Sequence, residues 1–143
     1  MNKNKPIKVV LLGESGVGKS NIIRRLKYNE FHKTSSSTNG ASYNSKTLDF
    51  PYLLKSIKFD IYDMGGHEKY RSLAKALYKG AKIIILVYDI TNESSFESIK
   101  NYWYNEVKLN SIFDPIFVVV ANKIDLSETK KLIIKMEKNL QIK

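Results

Sequence analysis

The sequence predicts an α/β fold in which a mostly parallel sheet carries helices on both faces. Short apolar runs recur along the chain, helix-like segments separate them, and a glycine-rich loop joins the first apolar run to the first helical segment. Strands that alternate with helices form βαβ units, whose strands run parallel and are covered by the helices. With 143 residues, 43% of them hydrophobic, the chain has the size and composition of one domain. We expect residues 1–6 to form a flexible tail and residues 7–143 to form the domain.

The order of the elements follows from hydrophobic periodicity. The periodic pattern predicts helices at residues 19–28 and 94–110. One face of the second helix carries Phe96, Ile99, Trp103 and Val107, and its candidate N-cap is Thr91 or Asn92. The polar stretch 34–45 predicts a loop that leads into an edge strand near residues 43–50. Residues 127–138 have a further helical pattern. Apolar runs predict four more strands at residues 7–12, 57–61, 83–88 and 116–121.

The glycine-rich loop reads Gly-Glu-Ser-Gly-Val-Gly-Lys-Ser over residues 13–20 and lies between a predicted buried strand and a helix. This pattern is typical of a loop that cradles the phosphates of a nucleoside triphosphate. Gly16 and Gly18 permit a tight turn whose N–H groups point at phosphate oxygens, next to the positive end of the helix dipole. Lys19 reaches the β- and γ-phosphates, and the Ser20 hydroxyl binds Mg²⁺. The predicted nucleotide contacts here are Gly13, Ser15, Gly16, Val17, Gly18, Lys19, Ser20 and Asn21.

A second group of candidate residues follows the strand predicted at residues 57–61. Asp63 ends this segment and is placed to hold Mg²⁺ opposite Ser20. Gly66 is expected to bring its N–H close to the γ-phosphate. In the polar loop, the hydroxyl of Thr38 is a further candidate Mg²⁺ ligand, and its N–H a candidate γ-phosphate donor.

The segment predicted to select the nucleotide base is Asn122-Lys123-Ile124-Asp125, which directly follows the last predicted strand. The Asp125 carboxylate can accept hydrogen bonds from N1–H and the 2-amino group of guanine, and adenine offers neither donor on that edge. Asn122 can meet the N7 and O6 side of the purine, while the stem of Lys123 covers the ring. The pattern therefore favours a guanine nucleotide.

Composition narrows the class of protein further. The chain has no cysteine, which excludes disulfides, thiolate metal sites and a thiol nucleophile. The formal charge of +10 raises the possibility of a nucleic-acid partner, but the lysines are scattered and lack stacking aromatic neighbours, so none is expected. We see no secretory signal, no apolar stretch long enough to span a membrane, and no N-myristoylation or prenylation site in the sequence as written.

Over residues 7–126 the chain resembles the Ras superfamily of small GTPases, and the Rab branch most closely. The Rab-like stretches are residues 37–43, 57–63, 69–73, 78–81 and 86–96, and residues 29–32 are similar to endosomal Rabs. The resemblance implies the P-loop NTPase fold of a small G domain, with GTP or GDP and Mg²⁺ bound. It also implies a conformational switch in vesicle and protein transport, in the cytoplasm or at the cytosolic face of endosomal or other vesicle membranes.

Carried over by position, the family pattern assigns further roles. Phe31 stacks edge-on against guanine, Thr38 senses the γ-phosphate, and Asp63 and Gly66 begin the second switch segment. Lys19, Thr38, Gly66 and His67 are the predicted catalytic residues, and Ser20, Thr38 and Asp63 the metal ligands. Rab effectors, an exchange factor and a GTPase-activating protein are expected to bind residues 34–43 and 64–78. An aromatic triad read by effectors is expected at Tyr43, Tyr62 and Tyr78.

Three departures from the Rab pattern qualify these expectations. His67 replaces the glutamine that orients the attacking water, which predicts slow hydrolysis. Asn39 replaces an apolar residue of the effector surface, which predicts an unusual effector set. The Rab pattern also continues into a further strand, a Ser-Ala-Lys loop, a last helix and a lipidated tail, which the sequence as written lacks. We therefore expect an incomplete G domain that associates with membranes only through a lipidated tail.

Three functions remain open on the sequence. The first is a GTP-hydrolysing switch, in which Lys19 and Mg²⁺ neutralise charge on the phosphates. The second is a GTP-binding module with negligible turnover, favoured by His67, by Gly65 and by the missing C-terminal elements. The third, a basic nucleic-acid-binding domain that shares the fold, is weakened by the diffuse charge.

Overall fold

The computed structural model describes residues 5–34 and 36–126, which contain a single five-stranded sheet. The strands are β1 (Ile7–Leu12), β2 (Ala41–Phe50), β3 (Lys55–Met64), β4 (Ile83–Asp89) and β5 (Ile116–Asn122). Their order across the sheet is β2-β3-β1-β4-β5, and every pair is parallel except β2 with β3. The predicted mostly parallel sheet is confirmed.

Helical segments connect the parallel strands. They are α1 (Lys19–Tyr28), α2 (Arg71–Tyr78), α3 (Glu93–Ser98) and α4 (Tyr104–Asn110), with one π-helical segment at Ile99–Trp103 between α3 and α4. The helix predicted at residues 94–110 is thus one helical run with a π turn in its middle. Of the two candidate caps, Asn92 caps it, because its Oδ1 accepts a hydrogen bond from Ser94 N at 3.1 Å. Helix α2 was not predicted.

The two faces of the sheet bury separate apolar cores. Val10 and Leu12 of β1 face a core that includes Tyr78 of α2 and Phe96 of α3. Val9 and Leu11 point to the other face, where they meet Ile23 of α1. Successive strand residues point to opposite faces, so one strand supplies both cores. Helices cover both faces of the sheet, as predicted.

The carboxyl ends of β1, β3, β4 and β5 meet at one edge of the sheet, where ligands of open α/β folds bind. The helix predicted at residues 127–138 and most of the predicted tail 1–6 lie outside the described residues. In the described part of the chain, no helix has both the length and the apolar character needed to cross a bilayer.

Candidate nucleotide site

The phosphate loop, residues 13–20, turns from β1 into α1. Gly18 caps the helix with φ of 102°, a left-handed conformation that glycine adopts without strain. Lys19 Nζ donates to the carbonyl oxygens of Gly13 at 2.8 Å and Glu14 at 2.7 Å, which holds the ammonium beneath the loop. Burial lowers the pKa of Lys19 to about 8, although the charges of Asp63 and Glu14 oppose the shift. The loop therefore places a buried amine among backbone N–H groups at a helix start, as an anion site requires.

Three oxygen donors converge beside Lys19. Ser20 Oγ lies 2.5 Å from Asp63 Oδ2, to which it donates, and 2.9 Å from Thr38 Oγ1. Asp63 Oδ1 is buried without a hydrogen-bond partner among the described residues. Burial raises the pKa of Asp63, while the Ser20 hydroxyl and the Lys19 ammonium oppose that shift. Two hydroxyls and one carboxylate, whose second oxygen is unpaired, are a donor set that fits Mg²⁺, a cation that takes oxygen ligands.

The segment after β3 packs tightly on the loop before β2. Gly65 N donates to Gly40 O at 2.8 Å, and Tyr70 Oη donates to Asn39 Oδ1 at 3.3 Å. A Cβ on Gly65 would lie 2.4 Å from Thr38 O, so no larger residue fits there without movement. The two segments predicted to sense the γ-phosphate therefore touch each other through residues next to Thr38.

Gly66 in turn packs on the phosphate loop. A Cβ there would lie 2.2 Å from both Glu14 C and Ser15 N. His67 follows but is exposed, and its Nδ1 accepts a hydrogen bond from Lys69 N at 3.4 Å. The Gly66 backbone therefore lies beside the phosphate loop, whereas the His67 imidazole turns toward its own segment.

The residues predicted to read the base are tied to the phosphate loop. Asn122 Nδ2 donates to Val17 O at 2.8 Å across 105 positions of sequence. A Cβ on Gly18 would lie 2.2 Å from Asn122 Nδ2, which gives a second reason for glycine there. Lys123 has φ of 63°, and its Nζ lies 2.6 Å from Asp89 Oδ2. The base-reading segment is thus anchored at both of its first two residues.

These parts surround one cleft of about 1240 Å³, which is larger than the roughly 300–1,000 Å³ of a typical small-molecule site. Among the predicted residues, Gly13, Val17, Asp63 and His67 do not line it. Gly13 and Val17 contribute carbonyl oxygens to the contacts with Lys19 and Asn122. The predicted residues that line the cleft are Ser15, Gly16, Gly18, Lys19, Ser20, Asn21, Phe31, Thr38, Gly66, Asn122, Lys123 and Asp125.

Asn21 also anchors the loop that carries Phe31. Its Nδ2 donates to His32 O at 2.9 Å, and its Oδ1 accepts from His32 N at 3.1 Å. The Phe31 ring stays exposed at the cleft wall. The two paired contacts therefore hold Phe31 where the predicted edge-on contact with the base would form.

Sequence reasoning missed two supporting contacts. Asp89 supports Lys123, and its position at the end of a strand, before Thr91 and Asn92, was the available signal. The Glu14 carboxylate accepts a hydrogen bond from Ser98 Oγ in α3, which no local pattern indicates. The first contact joins the end of β4 to the base-reading segment, and the second joins the phosphate loop to the helical run that follows β4.

The predicted aromatic triad does not form one exposed surface. Tyr43 is exposed and its ring centroid lies 5.4 Å from that of Tyr62. Tyr78 is fully buried, and its hydroxyl donates to Glu106 Oε1 at 2.9 Å, because α2 packs against α4. Tyr43 and Tyr62 are therefore the members that a partner can reach in this structure.

Comparison with known proteins places the chain in a family. Residues 8–142 match the Ras family. The chain is 39% identical over 131 residues to the Ras-related protein RABF2a of Arabidopsis thaliana, covering 92% of this chain and 64% of the relative. It is 41% identical over 119 residues to the Ras-related protein RABA1b of the same plant, covering 83% and 54%. The chain thus spans slightly more than half to about two thirds of the length of these relatives.

The match to the family covers the phosphate loop, the segment after β3 and the base-reading segment. Members of the family bind GTP or GDP with Mg²⁺, in agreement with the oxygen donors and the amide cradle of this cleft. The chain belongs to the Ras family and is similar to Rab-type members of it.

Proposed function

We propose that this chain binds GTP with Mg²⁺, hydrolyses it slowly, and acts as a Rab-type conformational switch in vesicle transport at cytosolic membrane faces. The observation that carries the proposal is the Asn122–Val17 hydrogen bond of 2.8 Å. It joins a loop suited to phosphates with a segment suited to guanine in a single cleft, although the two lie far apart in the sequence. A triphosphate site beside a purine-selective carboxylate is what a guanine-nucleotide switch requires.

The phosphate end of the cleft binds and stabilises charge. Backbone N–H groups of the loop orient the phosphates, and Lys19 places a positive charge where negative charge grows during transfer. Mg²⁺, when bound, supplies further charge neutralisation; Ser20, Thr38 and Asp63 are the residues that would hold it. Burial disfavours the charged form of Lys19 and lowers its pKa to about 8 in the free cleft, and the negative charge of a bound phosphate would favour the ammonium again.

The base end of the cleft determines specificity. Asp125 lies on an exposed turn at the cleft wall, with its carboxylate open to accept from a base. Guanine offers it two N–H donors, whereas adenine leaves it unpaired, and an unpaired polar group is costly when it loses water. Lys123 covers the ring with its stem while its ammonium stays on Asp89.

The switch consists of the two segments that touch through Gly40 and Gly65. A γ-phosphate bound beside the phosphate loop would lie next to both Thr38 and Gly66. Loss of the γ-phosphate therefore removes a partner from each segment. Residues 34–43 and 64–78 would then relax, and effectors, an exchange factor and an activating protein would distinguish the two states there. Tyr43 is the most accessible aromatic residue of the first segment.

A second candidate function, a GTP-binding module with negligible turnover, is favoured by the geometry of His67. Its imidazole is exposed, bonds to its own backbone segment and lies outside the cleft lining. An imidazole held in this way does not orient a water for attack on the γ-phosphate. The two candidates share the binding site and differ only in the rate of the chemical step.

One experiment on the purified chain tests the proposal and separates the candidates. The protein is denatured, its bound nucleotide is identified by chromatography, and single-turnover hydrolysis of added GTP is then followed. GDP in the released pool with measurable turnover supports the switch; GTP alone with no turnover supports the binding module. An adenine nucleotide, or no affinity for guanine nucleotides, would contradict both.

A further inference from the structure

The hairpin between β2 and β3 ends in an apolar tip. Tyr52 and Leu54 expose 101% and 93% of their surface, and Leu53 between them is exposed as well. Pro51–Leu53 forms one 3₁₀ turn, closed by a hydrogen bond from Leu54 N to Pro51 O at 3.1 Å. A defined turn thus presents three large apolar side chains to solvent, and such contiguous exposure marks an interaction site.

This tip projects from the end of the molecule opposite the nucleotide cleft. Strand β1 begins at Ile7, paired with Phe59, so residues 55–58 of β3 extend beyond it. Four strand residues span about 13 Å at 3.3 Å each. The cleft lies at the carboxyl ends of β1, β3 and β5, whereas the hairpin tip lies beyond their amino ends. A partner on the tip would leave the cleft open.

Basic residues lie beside the apolar tip and along both strands of the hairpin. Residues 46–58 contain Lys46, Lys55 and Lys58 but only one acidic residue, so their net charge is +2. The acidic residue, Asp49, accepts a hydrogen bond from Ser56 Oγ at 2.6 Å. Lys5, which precedes β1, adds a further exposed positive charge at this end.

The loop before β5 repeats this combination at the same end of the sheet. Ile112 and Phe113 are exposed there. Ile112 N donates to Lys79 O at 3.0 Å, and Lys82 Nζ lies 3.9 Å from the centroid of the Phe113 ring. Exposed apolar side chains with lysines beside them therefore occur at two loops of one end of the molecule.

We propose that the β2–β3 hairpin tip inserts into the interfacial region of an anionic membrane. Apolar side chains that enter the headgroup boundary, with lysines that meet negatively charged lipids, are the chemistry of peripheral membrane binding. A lipid surface fits better than a protein groove because the tip is convex and its charge has one predominant sign. Unlike the membrane association expected from the sequence, this contact requires no lipidated tail, and it is independent of the nucleotide.

The test measures sedimentation of the full chain with vesicles of phosphatidylcholine alone or with phosphatidylserine added. We expect binding to the anionic vesicles that weakens with salt. The double variant Leu53→Ser, Leu54→Ser should lose at least about tenfold in partitioning, and Lys55→Gln about fivefold. The matched control is Val118→Ser, since Val118 is 41% exposed on β5, at the sheet edge opposite β2, and it should bind as the unmodified chain does.

A second experiment tests insertion by measuring the tryptophan fluorescence of the Tyr52→Trp variant on vesicles whose lipids are brominated along the acyl chain. Bromine quenches a tryptophan that inserts among the acyl chains. The only native tryptophan, Trp103, is buried in the protein core and serves as an internal reference. Quenching confined to the added tryptophan supports the proposal. Equal binding to both kinds of vesicle, full binding by the double serine variant, or no quenching would each overturn it. A hairpin variant that changes only the oligomeric state would instead identify this tip as a protein contact.

Discussion

The ammonium of Lys123 lies 2.6 Å from Asp89 Oδ2, at the junction of β5 and the base-reading segment. Asp89 Oδ1 also accepts from Thr91 N at 2.9 Å and Thr91 Oγ1 at 2.7 Å, so both of its oxygens are occupied. Lys123 adopts a left-handed backbone conformation, which costs a residue other than glycine about 1 kcal/mol or more. The ion pair offsets this cost and stabilises the segment that carries Asp125.

We predict that Asp89→Asn destabilises the fold by about 2 kcal/mol, since it removes a charge-assisted hydrogen bond from a nearly buried site. GTP should also dissociate about tenfold faster, because Lys123 is no longer held over the base. Urea unfolding and displacement of a fluorescent GTP analogue measure the two effects. Asp49→Asn is the control, since Asp49 is exposed and bonds only Ser56 among the described contacts. Equal behaviour of both variants would contradict this role.

The same pair predicts a dependence on pH. Burial opposes the charge of Asp89, but the hydrogen bonds from Lys123 and Thr91 outweigh it and lower the pKa below the ordinary 3.8. The folded state then binds fewer protons than the unfolded state as the pH falls, so the stabilisation is lost on acidification. The difference in unfolding free energy between the unmodified chain and Asp89→Asn should be constant above about pH 5 and shrink below about pH 4. A difference that grows on acidification would contradict the assignment.

Gly65 provides a test of contact between the two switch segments. Gly65→Ala would place a Cβ 2.4 Å from Thr38 O and 2.8 Å from the Tyr70 ring. We expect a loss of about 1–3 kcal/mol in unfolding free energy, together with weaker binding of GTP. Gly80→Ala is the matched control, because a Cβ there meets no atom within 4 Å, and it should change stability by less than about 0.5 kcal/mol. Identical unfolding curves for the two variants would exclude the proposed packing.

His67→Gln tests whether the side chain after Gly66 limits hydrolysis. A glutamine can orient the attacking water, so we expect the single-turnover rate to rise about tenfold or more, with little change in GTP affinity. His32→Gln is the control, since the exposed imidazole of His32 contacts Glu30 at 3.7 Å and does not line the cleft. A rate for His67→Gln that is unchanged or slower would show that His67 does not limit the reaction.

For some elements, the bounds predicted from the sequence match those of the structure at both ends. Strand β1 and helix α1 have the predicted bounds, because the glycine-rich loop terminates one and starts the other. Strand β2 begins two residues earlier than predicted and β3 extends at both ends, since cross-strand pairing runs from Ala41 with Met64 to Phe50 with Lys55. Helix α2 was missed because its position depends on packing against α4 through the Tyr78–Glu106 contact.

The candidate site also has parts that the sequence predicts and parts that it does not. The phosphate loop and the base-reading segment are short local motifs, so the sequence alone predicts both. The contacts that position them are long-range: Asp89 with Lys123, Asn122 with Val17 and Glu14 with Ser98. Such pairs depend on which strand ends become neighbours in the sheet, and periodicity does not specify that order. The exposed position of His67 likewise depends on how its segment packs.

The most direct test of the central claim is base preference measured on the unmodified chain and on Asp125→Asn. The unmodified chain should bind GTP at least about a thousandfold more tightly than ATP, since adenine leaves the Asp125 carboxylate unpaired. An asparagine offers one acceptor and one donor, so the variant should prefer xanthosine triphosphate, whose 2-oxo group accepts where guanine donates. Equal affinity for GTP and ATP, or a variant that still prefers GTP, would contradict the assignment of this cleft to a guanine nucleotide.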